Sequence, residues 1–210
     1  GILFSGEALT VRDLSIDDAT VGIDVRRGAV GIVDVLIENC TAPRGAAVLV
    51  GAGSPEDGGG ASVELDDVLI RNNEALIDGG GVHVGIGGAI RVLNSEFTGN
   101  VAAGSGGGVF LAEGARSCTM VGTDFDSNIA AIDGGGVFAG RMPELVIQAG
   151  DFSGNAAGRF GGGLHLVDGS VQDCDFIANT AAELGGGARS TGNSLLRSCD
   201  FRLNVAGLGG

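Results

Sequence analysis

Apolar residues in this chain alternate with polar or small ones over stretches of only three to five positions, and the stretches return every 24 to 28 residues. The Phe of a Phe-x-x-Asn motif serves as origin. The motif occurs at Phe97–Asn100, Phe125–Asn128, Phe152–Asn155, Phe176–Asn179 and Phe201–Asn204. Each of the first four Asn residues stands six before a glycine triplet, Gly106–Gly108, Gly134–Gly136, Gly161–Gly163 and Gly185–Gly187. Earlier copies align with Ile16, Ile37 and Ile70 at the origin. Asn73 then stands six before Gly79–Gly81, while Cys40 and Ala19 fall in the Asn column. Seven and five residues before the origin the columns are apolar or small, from Leu9/Val11 through Val63/Leu65 to Ser194/Leu196. That alternation predicts a short half-buried strand. Three before the origin sit Asp13, Asp34, Asp67, Asn94, Gly122, Ala149, Asp173 and Ser198, mostly bend formers. A second short strand carries the Phe or Ile inward, and the Asn makes a corner. After the glycines a third strand reads Val48-Leu49-Val50, Val82-His83-Val84, Val109-Phe110-Leu111, Val137-Phe138-Ala139, Leu164-His165-Leu166 and Ala188-Arg189-Ser190. Its flanks point inward and its middle residue outward.

Fixed columns at such a period are the signature of a solenoid. Three short strands and three corners per coil predict an all-β, single-stranded parallel β-helix of about eight coils. At about 4.8 Å per coil the rod is about 35–40 Å long. Each column has a physical task. Phe97, Phe125, Phe152, Phe176 and Phe201 stack as interior filling. Asn73, Asn100, Asn128, Asn155, Asn179 and Asn204 form a hydrogen-bonded corner ladder. The glycines permit positive φ and close backbone approach. Residues 9–64 read as irregular coils, residues 65–210 as regular ones, and the segment Gly51–Gly60 is the largest corner insertion.

Composition narrows the function. Forty-two glycines without a Gly-X-Y period exclude collagen. The net charge is −14, and all twelve basic residues are Arg. A body this acidic repels nucleic acid and anionic lipid. No apolar run approaches the ~20 residues that span a bilayer, so direct membrane insertion by this segment is not expected. Cys40, Cys118, Cys174 and Cys199 form no C-x-x-C pair and suggest no zinc site. Cys174 and Cys199 share an inward column in adjacent coils. They are either stacked buried thiols, the preferred reading, or a disulfide. The chain starts with Gly1 and closes within a repeat, so it reads as a segment of a larger protein.

Phe-x-x-Asn followed by Gly-Gly-(Ala/Gly)-(Ile/Leu/Val) resembles the repeat of chlamydial polymorphic outer membrane proteins and of related right-handed β-helix repeat proteins in many bacteria. The matching copies are FTGN with GGGV at 97–109, FDSN with GGGV at 125–137, FSGN with GGGL at 152–164 and FIAN with GGGA at 176–188. The resemblance implies a right-handed helix, an extracellular or outer-surface location, and adhesion as the role. The repeat residues of that family are structural, so it implies no catalytic residue.

The candidate binding surface is the outward column Leu49, His83, Phe110, Phe138, His165 and Arg189. Two adjacent outward Phe residues mark a contact stripe for a protein or glycan at the cell surface, or for copies of the chain itself. His83 and His165, with two coils between them and about 14 Å apart, read as surface residues that cannot share a metal ion. Asp78 and Asp133 precede two triplets, but one carboxylate per corner is too few for calcium. No cofactor or metal is expected. The alternative is a polysaccharide lyase or hydrolase of the same fold. Its ready carboxylate pairs on predicted strands are Asp17-Asp18 and Asp66-Asp67, whose members point to opposite faces. Tyr and Trp, the usual sugar platforms, do not occur.

Overall fold

The computed structural model describes residues 1–51 and 60–208. Most of the Gly51–Gly60 insertion therefore lies outside the described residues. Every strand pairing is parallel and joins one coil to the next. The described residues wind through eight coils, and the pairing fixes their register. Ile16 pairs with Ile37, Ile37 with Ile70, Ile70 with Phe97 and Phe97 with Phe125. The Ile residues thus occupy the Phe column, as the sequence alignment requires.

Each regular coil carries four strands, where the sequence pattern predicts three. The strand before the bend, the strand carrying Phe and the strand after the glycines form as expected, for example Ala89–Leu93, Glu96–Thr98 and Val109–Leu111. Between the Asn corner and the glycines lies a further strand, Val101–Ala102 in the same coil. It recurs as Thr41–Arg44, Glu74–Asp78, Ile129–Ala130, Ala156–Ala157, Thr180–Ala181 and Val205–Ala206, and these seven form their own sheet. Its signal in the sequence is slight: an Ala stands two residues past Cys40 and past every ladder Asn. Those alanines point inward, and the first six are buried.

The corners have a physical cause in the backbone. The bend residues Asp13, Asp34, Asp67, Asn94, Gly122, Ala149, Asp173 and Ser198 all have φ between 47° and 60°. A second left-handed position lies just before the Asn column, at Asp18, Asn39, Asn72, Gly99, Ser127, Gly154, Ala178 and Leu203. Asp and Asn tolerate this region and explain many of these positions, whereas Leu203 is held there by its neighbours. In the triplet Gly106–Gly108 each glycine does something different. Gly106 has φ 69°. A Cβ on Gly107 would strike the carbonyl oxygens of Gly135 and Ile129, and one on Gly108 would lie 3.1 Å from Cδ1 of Phe125.

The interior is made of ladders. Phe97, Phe125, Phe152, Phe176 and Phe201 stack with centroids 4.7–5.0 Å apart and planes within 14°. Beside them each Asn Nδ2 donates to the Oδ1 of the next Asn at 2.9–3.0 Å, from Asn73 to Asn204. The same Oδ1 also accepts the backbone N–H of the preceding Asn at 3.0–3.1 Å. The second Nδ2 hydrogen goes to the carbonyl of the Phe or Ile column one coil back, as in Asn128 to Phe97 at 2.8 Å. Cys40 closes the ladder by donating its N–H to Asn73 Oδ1. Every polar atom of an inner Asn amide is thereby satisfied in the dry interior.

Candidate functional site

The post-glycine strands place their middle residues on one outward column. Pairing runs Leu49–His83–Phe110–Phe138–His165–Arg189 without a break in register. His83 and Phe110 stack at 4.9 Å, and Phe110 and Phe138 at 5.1 Å, with planes within 12°. His165 turns its ring edgewise to Phe138 at 82°.

The column is not an exposed stripe, as the sequence suggested, but the floor of a groove. His83 is 9% and His165 7% exposed, and Phe110 and Phe138 are half-buried. The expected surface histidines are therefore buried. The first glycine of each triplet packs its backbone against the base of the outward side chain. A Cβ on Gly161 would lie 2.8 Å from the Cβ of His165, and one on Gly79 would lie 2.9 Å from that of His83. Two cavities open along this floor. One, of about 300 Å³, is lined by Val21, Pro43, Arg44, Leu49, Gly51 and His83. The other, of about 410 Å³, is lined by Phe110, Glu113, Phe138, Gly140, Arg141 and Val167.

The residue before each glycine triplet adds a wall that the repeat pattern does not reveal. Asp133 pairs with Phe160, and Phe160 with Leu184, across adjacent coils. Phe160 meets the His165 ring edge-on, while Arg189 lies 3.6 Å and Arg159 4.6 Å over its ring centroid. Arg189 thus belongs to the column but folds onto Phe160 rather than into solvent. Asp133 Oδ2 is 3.7 Å from His165 Nδ1, too far for a hydrogen bond. His165 Nδ1, Asp133 Oδ1 and His83 Nδ1 are buried without a hydrogen-bond partner in the protein. Burial pushes the His165 pKa below the usual imidazole value; Asp133 opposes the shift, and Arg189 and Arg159 add to it. Burial, with Arg44 adding and Asp78 opposing, lowers His83 to about 4.

The remaining candidates serve the scaffold. Asp78 Oδ1 accepts the Ser105 N–H at 2.9 Å. Asp17 and Asp66 accept amide hydrogens from Asn39 and Asn94, while Asp18 and Asp67 occupy left-handed bends. All four cysteines are free thiols. Cys174 is buried and donates to the Gln172 carbonyl; half-buried Cys199 donates to that of Arg197. Much of the acidity goes into another outward column, where Glu96 pairs with Asp124, and Asp151 with Asp175 and Asp175 with Asp200. Partial burial, then Asp124 and Asp175, raise the Asp151 carboxyl above its usual pKa.

Parallel coils, corner ladders and an outward groove together define a β-helical solenoid. The chain matches the family of the right handed beta helix region over residues 1–181, and it belongs to that family. No curated protein and no solved structure matches it.

Proposed function

We propose that this chain is a structural or adhesive module of a bacterial surface or secreted protein, and that the post-glycine groove is where it meets its partner. The observation that carries this reading is the unbroken outward column, with two cavities opening on the same floor. The resemblance of the Phe-x-x-Asn repeat to that of polymorphic outer membrane proteins supports the extracellular setting.

The ring geometry narrows the partner. His83, Phe110 and Phe138 lie face to face, so neighbours cover much of their faces and ring edges border the groove. An aromatic edge carries the positive end of the ring quadrupole. It suits a carbonyl, a carboxylate or the face of another ring, and it offers a sugar little flat platform. A protein is therefore favoured over a glycan. The test compares the chain with its Phe110→Ser/Phe138→Ser variant for binding to bacterial and host cell surfaces. Binding should fall at least about tenfold, as expected when central aromatic anchors are lost, while circular dichroism still reports β structure. Equal binding by a folded double variant rejects the groove as the contact surface.

A further inference from the structure

The seven-stranded sheet turns its alanines inward and leaves its other face open. In the middle of that face the side chains are apolar. Leu76 is 59% and Ile129 48% exposed, and Ile77, Val101 and Ile132 are exposed beside them. They are spatial neighbours. Val101 pairs with Ile129 and with Glu74, two residues before Leu76. Ile132 donates its N–H to Gly104, which donates to Ile77. A protein with a net charge of −14 thus leaves an apolar patch on one sheet face, bordered by Glu74 and Arg159, and such a patch marks a contact surface.

We propose that this face binds a second copy of the chain, in an antiparallel two-fold pair. The two-fold axis runs along the strands between the Val101 and Ile129 coils. It reverses the order of coils and sets each column opposite itself. Val101 then meets Ile129 of the second copy. Leu76 meets Gly158 and Ile132 meets Gly104, so these two large side chains face glycines, while Ile77 meets Arg159. At the ends of the patch Arg44 and Glu183 come opposite each other to within one residue. Among the described residues Arg44 forms no ion pair, and Glu183 has only a 3.8 Å contact with Arg159. A parallel pair lacks this complementarity: it sets Glu74 against Ile77 and both end charges against threonines. The antiparallel operator covers both apolar faces and closes the assembly at two copies. The apolar centre lies outside the groove, while Arg44 at its edge also lines the groove's smaller cavity; the pairing does not depend on the groove's role.

Sedimentation equilibrium of the 210-residue chain tests the proposal. A dimer is expected. Ile129→Asp places two carboxylates at the centre and should weaken the dimer at least about 100-fold, with an unchanged circular dichroism spectrum. Arg44→Glu should weaken it about tenfold, and adding Glu183→Arg should restore it, because only the antiparallel pairing brings the two together. Phe110→Ser/Phe138→Ser should leave it intact. A monomer at every concentration, a dimer indifferent to Ile129→Asp, or a charge swap that restores nothing would overturn the proposal.

Discussion

The residue that best shows how this chain holds itself together is an inner asparagine. Asn128 Oδ1 accepts from both the N–H and the Nδ2 of Asn100, and its own Nδ2 donates to Phe97 and Asn155. Asn128→Ala leaves two donors of Asn100 and the Phe97 carbonyl unpaired in a dry interior. At about 1 kcal/mol or more for each orphaned group, the loss should be about 3 kcal/mol or more. Asn204→Ala acts on a half-buried rung that water reaches, and should cost about 1 kcal/mol. Urea denaturation of the two variants checks the ratio; equal losses would mean that the ladder contributes through packing alone. This column was legible in the sequence because one residue type can do its work. The left-handed position just before it was not. Asn72, Gly99, Ser127, Ala178 and Leu203 share a backbone angle and no side-chain chemistry.

At the scale of the element, the strands that declared themselves were those whose inward residues are large. The strand after the Asn corner hides because only an Ala points inward, while its outward neighbour varies from Glu74 to Val101 to Thr180. The register of the outward column of the post-glycine strand is legible in the sequence, but its burial is not. Alternation tells which way a side chain points, whereas the walls that shelter it come from a glycine turn and from residues such as Phe160. That shelter has a pH consequence for the His83–Phe110 stack. Burial depresses the folded His83 pKa to about 4, below the 6.5 of the free imidazole. The stability held by the neutral ring is therefore complete above pH 6.5 and is lost as pH falls toward 4. A depression of this size corresponds to a loss on the order of 3 kcal/mol in acid. His83→Phe continues the aromatic column without a titrating group, so it should hold its neutral-pH stability and lose most of this acid sensitivity. Chemical denaturation at pH 7 and pH 4 compares the two proteins; a parallel fall in both would place the acid response elsewhere.

For the whole molecule, each coil is supported only by the coils on either side of it. Stability is then a sum of rungs, and a rung with one neighbour is weaker than a rung with two. Phe125 lies between Phe97 and Phe152 and is fully buried, whereas Phe201 stacks on Phe176 alone and is 47% exposed in the 210-residue chain. Phe125→Ala should cost about 3–5 kcal/mol, the range for removing a buried ring, and Phe201→Ala should cost less than half of that. Hydrogen exchange should follow the same gradient. The inter-coil amides of Val109 and Val137 should be the slowest, and those of Asp200 and Val205 should exchange through local fraying. Phe125→Ala should also speed exchange on both sides of its coil, since breaking a central rung removes a neighbour from each half. Phe201→Ala should leave the centre unchanged. Uniform protection from end to end, or equal acceleration by both substitutions, would show that the coils unfold as a single unit rather than as a stack.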